Sequence, residues 1–166
     1  MQFVYIVDFT LTIFAGHFKT IFMVKTGEYN FLKVLRQVDF GVYLDDGAEG
    51  ILLPKRFVPA HTKPGDELKV FIYHDSDDRL IATTQQPLAV LGDIVKLKAI
   101  AVTEQGAFLD WGLMKDLFVA KSQQINPMRP NGEYLVKIYR DEQTNRIAAT
   151  EKFDENEPIK KSRTAL

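Results

Sequence analysis

The chain of 166 residues contains no cysteine and only three histidines. The absence of cysteine excludes disulfides, thiolate metal sites and a thiol nucleophile, and it is consistent with a reducing compartment. His17, His61 and His74 lie in separate segments without the spacing of a metal site. The sequence also lacks a phosphate loop, a dinucleotide-binding glycine pattern and a Gly-x-Ser-x-Gly turn. We therefore expect no catalytic residue, no metal ligand and no cofactor, and a protein that is not an enzyme.

An excess of basic charge is missing as well. The chain has 21 Lys and Arg against 22 Asp and Glu, a formal net charge of −1, whereas a dedicated DNA-binding protein usually shows a basic surplus. Basic residues cluster only at Lys55-Arg56 and in residues 160–163. If the ligand is a nucleic acid, few phosphates are neutralised, so we expect modest affinity and a shallow salt dependence.

An internal repeat with an offset of about 65 residues is the main positive feature. The offset drifts by one after Gly47 and Gly112. A repeat of this length, with turn residues inside it, predicts a duplicated small domain rather than a solenoid. The matching segments are 27–34 with 92–99, 40–45 with 105–110, 63–67 with 129–133, and 81–84 with 147–150.

This repeat predicts two domains, 25–87 and 88–153. They lie between an apolar N-terminal extension, residues 1–24, and a charged tail, residues 154–166. Residues 85–91 join the two units and are too few for a free tether.

Within each unit the apolar residues alternate in short runs, which is typical of β-strands. Five short strands separated by Gly, Pro and Asp turns predict an all-β protein of two small five-stranded barrels. The gap after the third strand is rich in proline, so we expect no more than a short helical turn there. The predicted strands are 29–36, 40–44, 50–53, 68–73 and 79–84, then 94–102, 106–110, 116–119, 133–139 and 145–150.

Alternation also predicts which side chains face outward. In residues 68–73, Phe71 and Tyr73 face away from the barrel, and packing against the other unit is the favoured explanation. In the first strand of each unit, Lys33 and Lys98 take the same outward position. They either keep the surface soluble or contact phosphates. Phe31 lies on the same outward face as Lys33.

Phe40 and Tyr43 flank Gly41-Val42. Residues three apart in a regular strand face opposite sides, but a glycine between them permits a bulge that brings both rings to one surface. Two exposed rings near Lys33 would form a stacking platform, because base–aromatic stacking contributes about 1–3 kcal/mol per base and tolerates any sequence. The alternative is that one ring belongs to the core.

At these residues the sequence resembles the S1 RNA-binding domain, a five-stranded OB-fold barrel. More narrowly, KVLRQVDFGVYLDDGAEGILLPKR and GAFLDWGLMKDLFV resemble the conserved virulence factor B family, whose bacterial members carry tandem S1-type domains followed by a winged-helix domain. The resemblance covers about residues 25–153. The sequence ends at Leu166 before any winged-helix domain, which leaves a fragment and a shortened paralogue as alternatives.

The resemblance implies an RNA-binding face in each unit. Its frequent histidine after the third strand is Leu53 or Val119 here, and the first ring of the second unit is Gln105. We therefore expect the second barrel to bind weakly or to act as a scaffold. Trp111 either stacks a base or packs between the barrels. The implied binding residues are Phe40, Tyr43, Asp75 and Arg79 in the first unit, and Phe108, Asp141 and Arg146 in the second.

Residues 75–78 begin like a calcium loop but fail at Leu80 and Gln86, where such a loop needs Gly and Glu, so we predict a polar hairpin turn. The segment before Met23 has three interpretations: an upstream extension with Met23 as the natural start, an element packed on the barrels, or a membrane anchor. The anchor is the least favoured because Asp8 lies inside the segment.

We expect weak single-stranded RNA binding with little sequence preference, in bacterial cytoplasm and in post-transcriptional regulation. Rings Phe40, Tyr43 and Phe31 would stack bases. The alternative is a protein-interaction module that has lost nucleic-acid binding and has a protein partner; no membrane partner is expected. Phosphate contacts are assigned to Lys33, Arg79, Lys98 and Arg146.

Overall fold

The computed structural model describes residues 23–154 and residue 156, and the segment before Met23 therefore lies outside the described residues. The predicted all-β fold class is confirmed, since the described residues form ten strands and two short 3-10 turns. The turns, Lys55–Phe57 and Lys121–Gln123, follow the third strand of each unit. The strands are β1 (Tyr29–Val38), β2 (Gly41–Leu44), β3 (Ile51–Pro54), β4 (Glu67–His74), β5 (Leu80–Thr83), β6 (Ile94–Val102), β7 (Gly106–Asp110), β8 (Leu117–Ala120), β9 (Glu133–Arg140) and β10 (Ile147–Thr150).

The first five strands close into a barrel in the order β1-β2-β3-β5-β4. Closure comes from antiparallel pairing of β4 with β1 and from a parallel pairing of β3 with β5, at Leu52 and Ile81. Alternate inward residues, such as Leu32, Val34 and Val70, fill the interior and are almost fully buried.

The second unit repeats this arrangement as a five-stranded sheet in the order β10-β9-β6-β7-β8. Its end strands β8 and β10 lie against each other, as β3 and β5 do in the first barrel. Leu97 and Ala99 face its core, and Lys96 and Lys98 face outward as alternation predicts.

The offset between the two copies increases by one residue at a second place, which the internal repeat in the sequence does not indicate. The β4–β5 turn closes from Asp75 to Arg79, whereas the β9–β10 turn closes from Asp141 to Arg146, one residue more. Tyr73 pairs with Ile81, but its counterpart Tyr139 pairs with Ala148. The segment equivalent to 147–150 is therefore 80–83, and the match with 81–84 is wrong by one residue.

An aromatic cluster joins the two barrels. Trp111, 3% exposed, lies edge-on to Phe71 and Tyr73, with ring centroids 5.6 and 6.5 Å away. Its indole N–H donates to the backbone oxygen of Lys115 at 2.7 Å. The outward rings of β4 therefore pack on the second unit, and of the two roles considered for Trp111 the structure shows the interface role.

Backbone hydrogen bonds also anchor the connecting segment. Leu88 N–H donates to the oxygen of Trp111 at 2.8 Å, and Leu91 N–H donates to the oxygen of Gly27 at 2.9 Å. The Arg140 guanidinium donates to the backbone oxygen of Thr26 across the same boundary. The connection is thus fixed against both barrels rather than acting as a tether.

Candidate nucleic-acid interface

A row of outward side chains crosses the first barrel from β1 to β4. Arg36 pairs with Tyr43, Tyr43 with Leu52, Leu52 with Ile81, and Ile81 with Tyr73. Because partners in adjacent strands lie about 4.8 Å apart, this row forms a continuous surface. Tyr73 ends the row under Trp111, so the row leads directly into the contact between the barrels.

Phe40 and Tyr43 do converge on one surface. Their ring centroids lie 6.4 Å apart with planes at 81°, and Phe40 is 57% exposed. The predicted bulge at Gly41 is wrong: β2 pairs regularly, and the register shift lies in β1 between Val34 and Arg36. The rings converge because Phe40 belongs to the β1–β2 turn rather than to the strand, so alternation does not govern its direction.

Arg36 is a candidate site residue that sequence reasoning missed. Its guanidinium carbon lies 4.1 Å from the centre of the Tyr43 ring, a cation–π arrangement. The same guanidinium donates to the backbone oxygen of Glu49. The two-residue turn at 39–40 was the available signal, because it places Arg36 opposite Tyr43.

Asp75 and Arg79 form a self-contained turn beside this surface. The Asp75 carboxylate accepts backbone hydrogen bonds from Asp77 and Arg79, and the Arg79 guanidinium pairs with both Asp75 and Asp77 at 2.9 Å. Burial would raise the pKa of Asp75, but the hydrogen bonds from Arg79 and Asp77 hold that pKa below its ordinary value. The polar hairpin turn predicted here is present. Among the described residues, no cluster of His, Asp and Glu has the geometry of a metal site.

A groove of about 710 Å³ lies where the second barrel meets the first. Phe108 and Phe118, cross-strand partners on β7 and β8, line it with ring centroids 5.1 Å apart. They occupy the positions of Tyr43 and Leu52. Ala101 stands where the first barrel has Arg36, so the cation that covers Tyr43 has no counterpart at this position of the second barrel.

Two cations of the second barrel line this groove together with Asp78, which comes from the first barrel. The Arg146 guanidinium forms an ion pair with the Asp78 carboxylate, and the Lys115 ammonium lies 3.9 Å from it. Lys115 also donates to the backbone oxygen of Asp75 at 2.7 Å. Burial lowers the pKa of Lys115, and the Asp78 charge acts in the opposite direction. Asp141 takes no part in this pairing, since its carboxylate accepts backbone hydrogen bonds within its own turn.

Three predicted binding residues lie apart from the ring pairs. Phe31, 62% exposed, precedes Arg36 by five residues on β1, roughly 16 Å in an extended strand. Lys33 and Lys98 are exposed and lie in register with Glu67 and Glu133. These glutamates begin β4 and β9, whereas the turns that start at Asp75 and Asp141 follow the opposite ends of the same strands. The structure therefore gathers Phe40, Tyr43 and Arg79 in one barrel, and Phe108, Asp141 and Arg146 in the other.

Leu53 and Val119, the positions considered for the missing histidine, are fully buried. Their neighbours Leu52 and Phe118 face outward instead. Among the residues that the structure describes, no helix has the length and apolar character needed to cross a membrane.

Comparison with known proteins identifies relatives of both barrels. Over 97 residues the chain is 35% identical to the uncharacterized protein YitL of Bacillus subtilis, a match that covers 58% of this chain and 33% of the relative. The chain thus spans about a third of the length of this curated relative. A crystal structure of a multidomain protein with nucleic acid binding domains from Streptococcus pneumoniae is similar in fold, with a TM-score of 0.66 at 20% identity. That match covers 78% of this chain and 47% of the solved one.

The narrower resemblance to the conserved virulence factor B family stays a prediction. The family model for the S1 domain matches twice, at residues 26–85 and 91–151. Each match contains the five strands of one unit. The chain therefore belongs to the S1 domain family and carries two copies of that domain.

Proposed function

We propose that the chain binds single-stranded RNA weakly and with little sequence preference. The observation that carries the proposal is that each barrel presents two adjacent rings outside its core: one ring lies at the same position of the outward row in both barrels, and its neighbour comes from the β1–β2 turn in the first barrel and from β8 in the second. Phe40 lies beside Tyr43 in the first barrel, and Phe118 lies beside Phe108 in the second. Tyr43 and Phe108 occupy equivalent positions, and neither belongs to the buried core.

Exposed rings suit unpaired bases because every base has a flat face. Each base–ring stack contributes about 1–3 kcal/mol without reading the sequence. In the first barrel Arg36 lies over one face of Tyr43, so Phe40 is the more accessible ring. The nearby Arg36 and Arg79 would contact phosphates, and Arg146 would do so in the second barrel.

Low affinity follows from the charge. With a net charge of −1, the chain neutralises few phosphates, so salt should weaken binding only slightly. Two sites on one chain raise the effective concentration of the second contact, so weak sites add through avidity. S1-family membership and the similarity in fold to a protein with nucleic acid binding domains support this function. A role in post-transcriptional regulation in the bacterial cytoplasm is part of the proposal.

The test is a titration of a fluorescently labelled ten-nucleotide single-stranded RNA, followed by anisotropy at low and moderate salt. Replacing both Phe40 and Tyr43 by alanine should weaken binding about tenfold or more, because two stacking surfaces are lost. Phe31→Ala is the matched control: it also removes an exposed ring from the first barrel, but away from the ring pair. Failure of the unaltered protein to bind at low salt would reject the proposal.

A protein-interaction module is the second candidate. It is favoured by one observation: arginines expected to contact phosphate are already paired with carboxylates, Arg79 with Asp75 and Asp77, and Arg146 with Asp78. Under this alternative the folded protein binds no oligonucleotide at low salt, yet it retains a specific protein when used as bait. The titration described above therefore separates the two candidates.

A further inference from the structure

The two barrels neutralise their turn arginines in different ways. In the first barrel, Arg79 pairs with carboxylates of its own turn, Asp75 and Asp77. In the second barrel, Arg146 pairs with Asp78, which belongs to the other barrel. The Asp78 carboxylate therefore has two roles: it lines the groove, and it forms an ion pair that links the two barrels.

Lys115 gives this arrangement a second cation. Its ammonium lies 3.9 Å from the Asp78 carboxylate and is held in place by the backbone oxygen of Asp75. The Asp78 carboxylate thus sits between two positive groups on the wall of a groove that Phe108 and Phe118 also line. Two cations beside a pair of rings suit a nucleotide, because the cations can hold its phosphate while a ring contacts its base.

We propose that Lys115 and Arg146 form a phosphate subsite in the groove between the barrels, and that Asp78 fills this subsite until a nucleic-acid phosphate displaces it. This inference rests on the proposed function and adds Lys115 and Asp78 to it. The displacement is feasible because the pair is not sealed from water: the side chains of Arg146 and Asp78 are 51% and 43% exposed. Ion pairs this exposed are weak and exchange readily with other anions.

Asp78→Asn is the informative variant. Asp78 has a φ of 61°, a left-handed conformation that asparagine also tolerates, so the turn is preserved while the charge is removed. The variant should bind the ten-nucleotide RNA about two- to tenfold more tightly, because the phosphate no longer competes with a weak ion pair. The slope of log affinity against log salt should steepen by about 0.7 for each additional phosphate of the single strand that the variant neutralises.

Two further variants control for a general charge effect and test the role of Lys115. Glu142→Gln removes one negative charge from the exposed β9–β10 turn, so a general charge effect would raise its affinity equally. Adding Lys115→Gln to Asp78→Asn should abolish most of the increase in affinity. Thermal unfolding of each variant shows that the barrels remain folded.

The outcomes separate the two proposals. Tighter binding by Asp78→Asn beyond that of Glu142→Gln, lost again with Lys115→Gln, supports the subsite. Unchanged affinity, or an increase matched by Glu142→Gln, overturns the subsite but leaves RNA binding intact. Absence of binding by every variant at low salt overturns the proposed function, and the subsite with it.

Discussion

At the scale of single residues, Gly41 and Gly106 show why both copies of the domain keep glycine at one position. A Cβ atom added at Gly41 would lie 2.1 Å from the backbone oxygen of Leu53, and one at Gly106 would lie 2.2 Å from that of Val119. Both oxygens belong to the neighbouring strand, which cannot retreat without losing the sheet pairing. The glycine is thus required by the close approach of two strands rather than by a bulge.

Gly41→Ala should lower the free energy of unfolding by roughly 2–3 kcal/mol, because backbone must shift and φ is +154°. Urea unfolding followed by circular dichroism measures this. Gly92→Ala is the matched control: its φ is +87° but the space around it is open, so only backbone strain of about 1 kcal/mol is expected. Equal losses for the two variants would contradict the close-approach argument.

His74, at the end of β4, gives the protein a pH-dependent stability. Burial lowers the pKa of His74, the cations Lys115, Arg140 and Arg146 lower it further, and Asp78 opposes them. A lowered pKa means that the unfolded chain binds the proton at a higher pH than the folded one does. The contribution of His74 is therefore fully present above the unfolded pKa of about 6.5 and is lost as pH falls towards the folded pKa.

We expect the free energy of unfolding to decrease as pH falls through the unfolded pKa of about 6.5, and His74→Gln to flatten this decrease. Urea unfolding at a series of pH values measures it. The control is His61→Gln, since His61 is exposed in the loop before β4. A slope that depends on His61, or on neither residue, would refute the assignment.

At the scale of elements, the strands can be predicted from sequence where burial alternates with period two, as in β1, β3, β6 and β8. Alternation fails at Val70–Tyr73 of β4, which are all buried because Phe71 and Tyr73 pack on the second barrel. The position of Phe40 was harder to predict. The sequence prediction placed the start of the second strand at residue 40, whereas β2 begins at Gly41 and Phe40 belongs to the preceding turn. The β9–β10 turn contains one residue more than the β4–β5 turn, and similar residues at 81–84 and 147–150 concealed that step. Alternation identifies a strand but does not fix its partner.

Some residues of the candidate site could be predicted from the sequence and others could not. Tyr43 was predicted from the residue pattern as well as from the family resemblance, and Phe108 and Arg146 from the resemblance alone; each lies where the fold of its own barrel places it. Lys115 and Asp78 could not be foreseen, because their meeting depends on how two barrels sit against each other. Contacts across a domain boundary leave no periodic signal in the sequence.

At the scale of the whole molecule, we expect Trp111 to make the two barrels one folding unit. The only tryptophan of the chain belongs to a core cluster that draws residues from both barrels, including Phe71, Tyr73, Leu109 and Val136. Each unit of about 60 residues alone would bury a smaller share of its surface than a larger domain does and would be marginally stable. The shared cluster compensates for this.

Trp111→Ala should lower the free energy of unfolding by about 3–5 kcal/mol, as large-to-small changes of buried rings do. It should also split one urea transition into two when followed by circular dichroism. Met114→Ala, an exposed change in the same loop, should leave a single transition near that of the unaltered protein. One undivided transition at an unchanged midpoint in Trp111→Ala would show that Trp111 neither stabilises the barrels nor couples their unfolding.

The aromatic contact between the barrels uses positions at which the two copies differ. Phe71 corresponds to Lys137, and Trp111 corresponds to Asp46, whose carboxylate instead accepts hydrogen bonds from Ala48 and Gly50. The two copies therefore contribute different residues to the interface, so their contact is asymmetric and head-to-tail. A further barrel of the same design could not form these ring contacts on β9, where Lys137 stands in place of Phe71, so the contact cannot be repeated from one copy to the next.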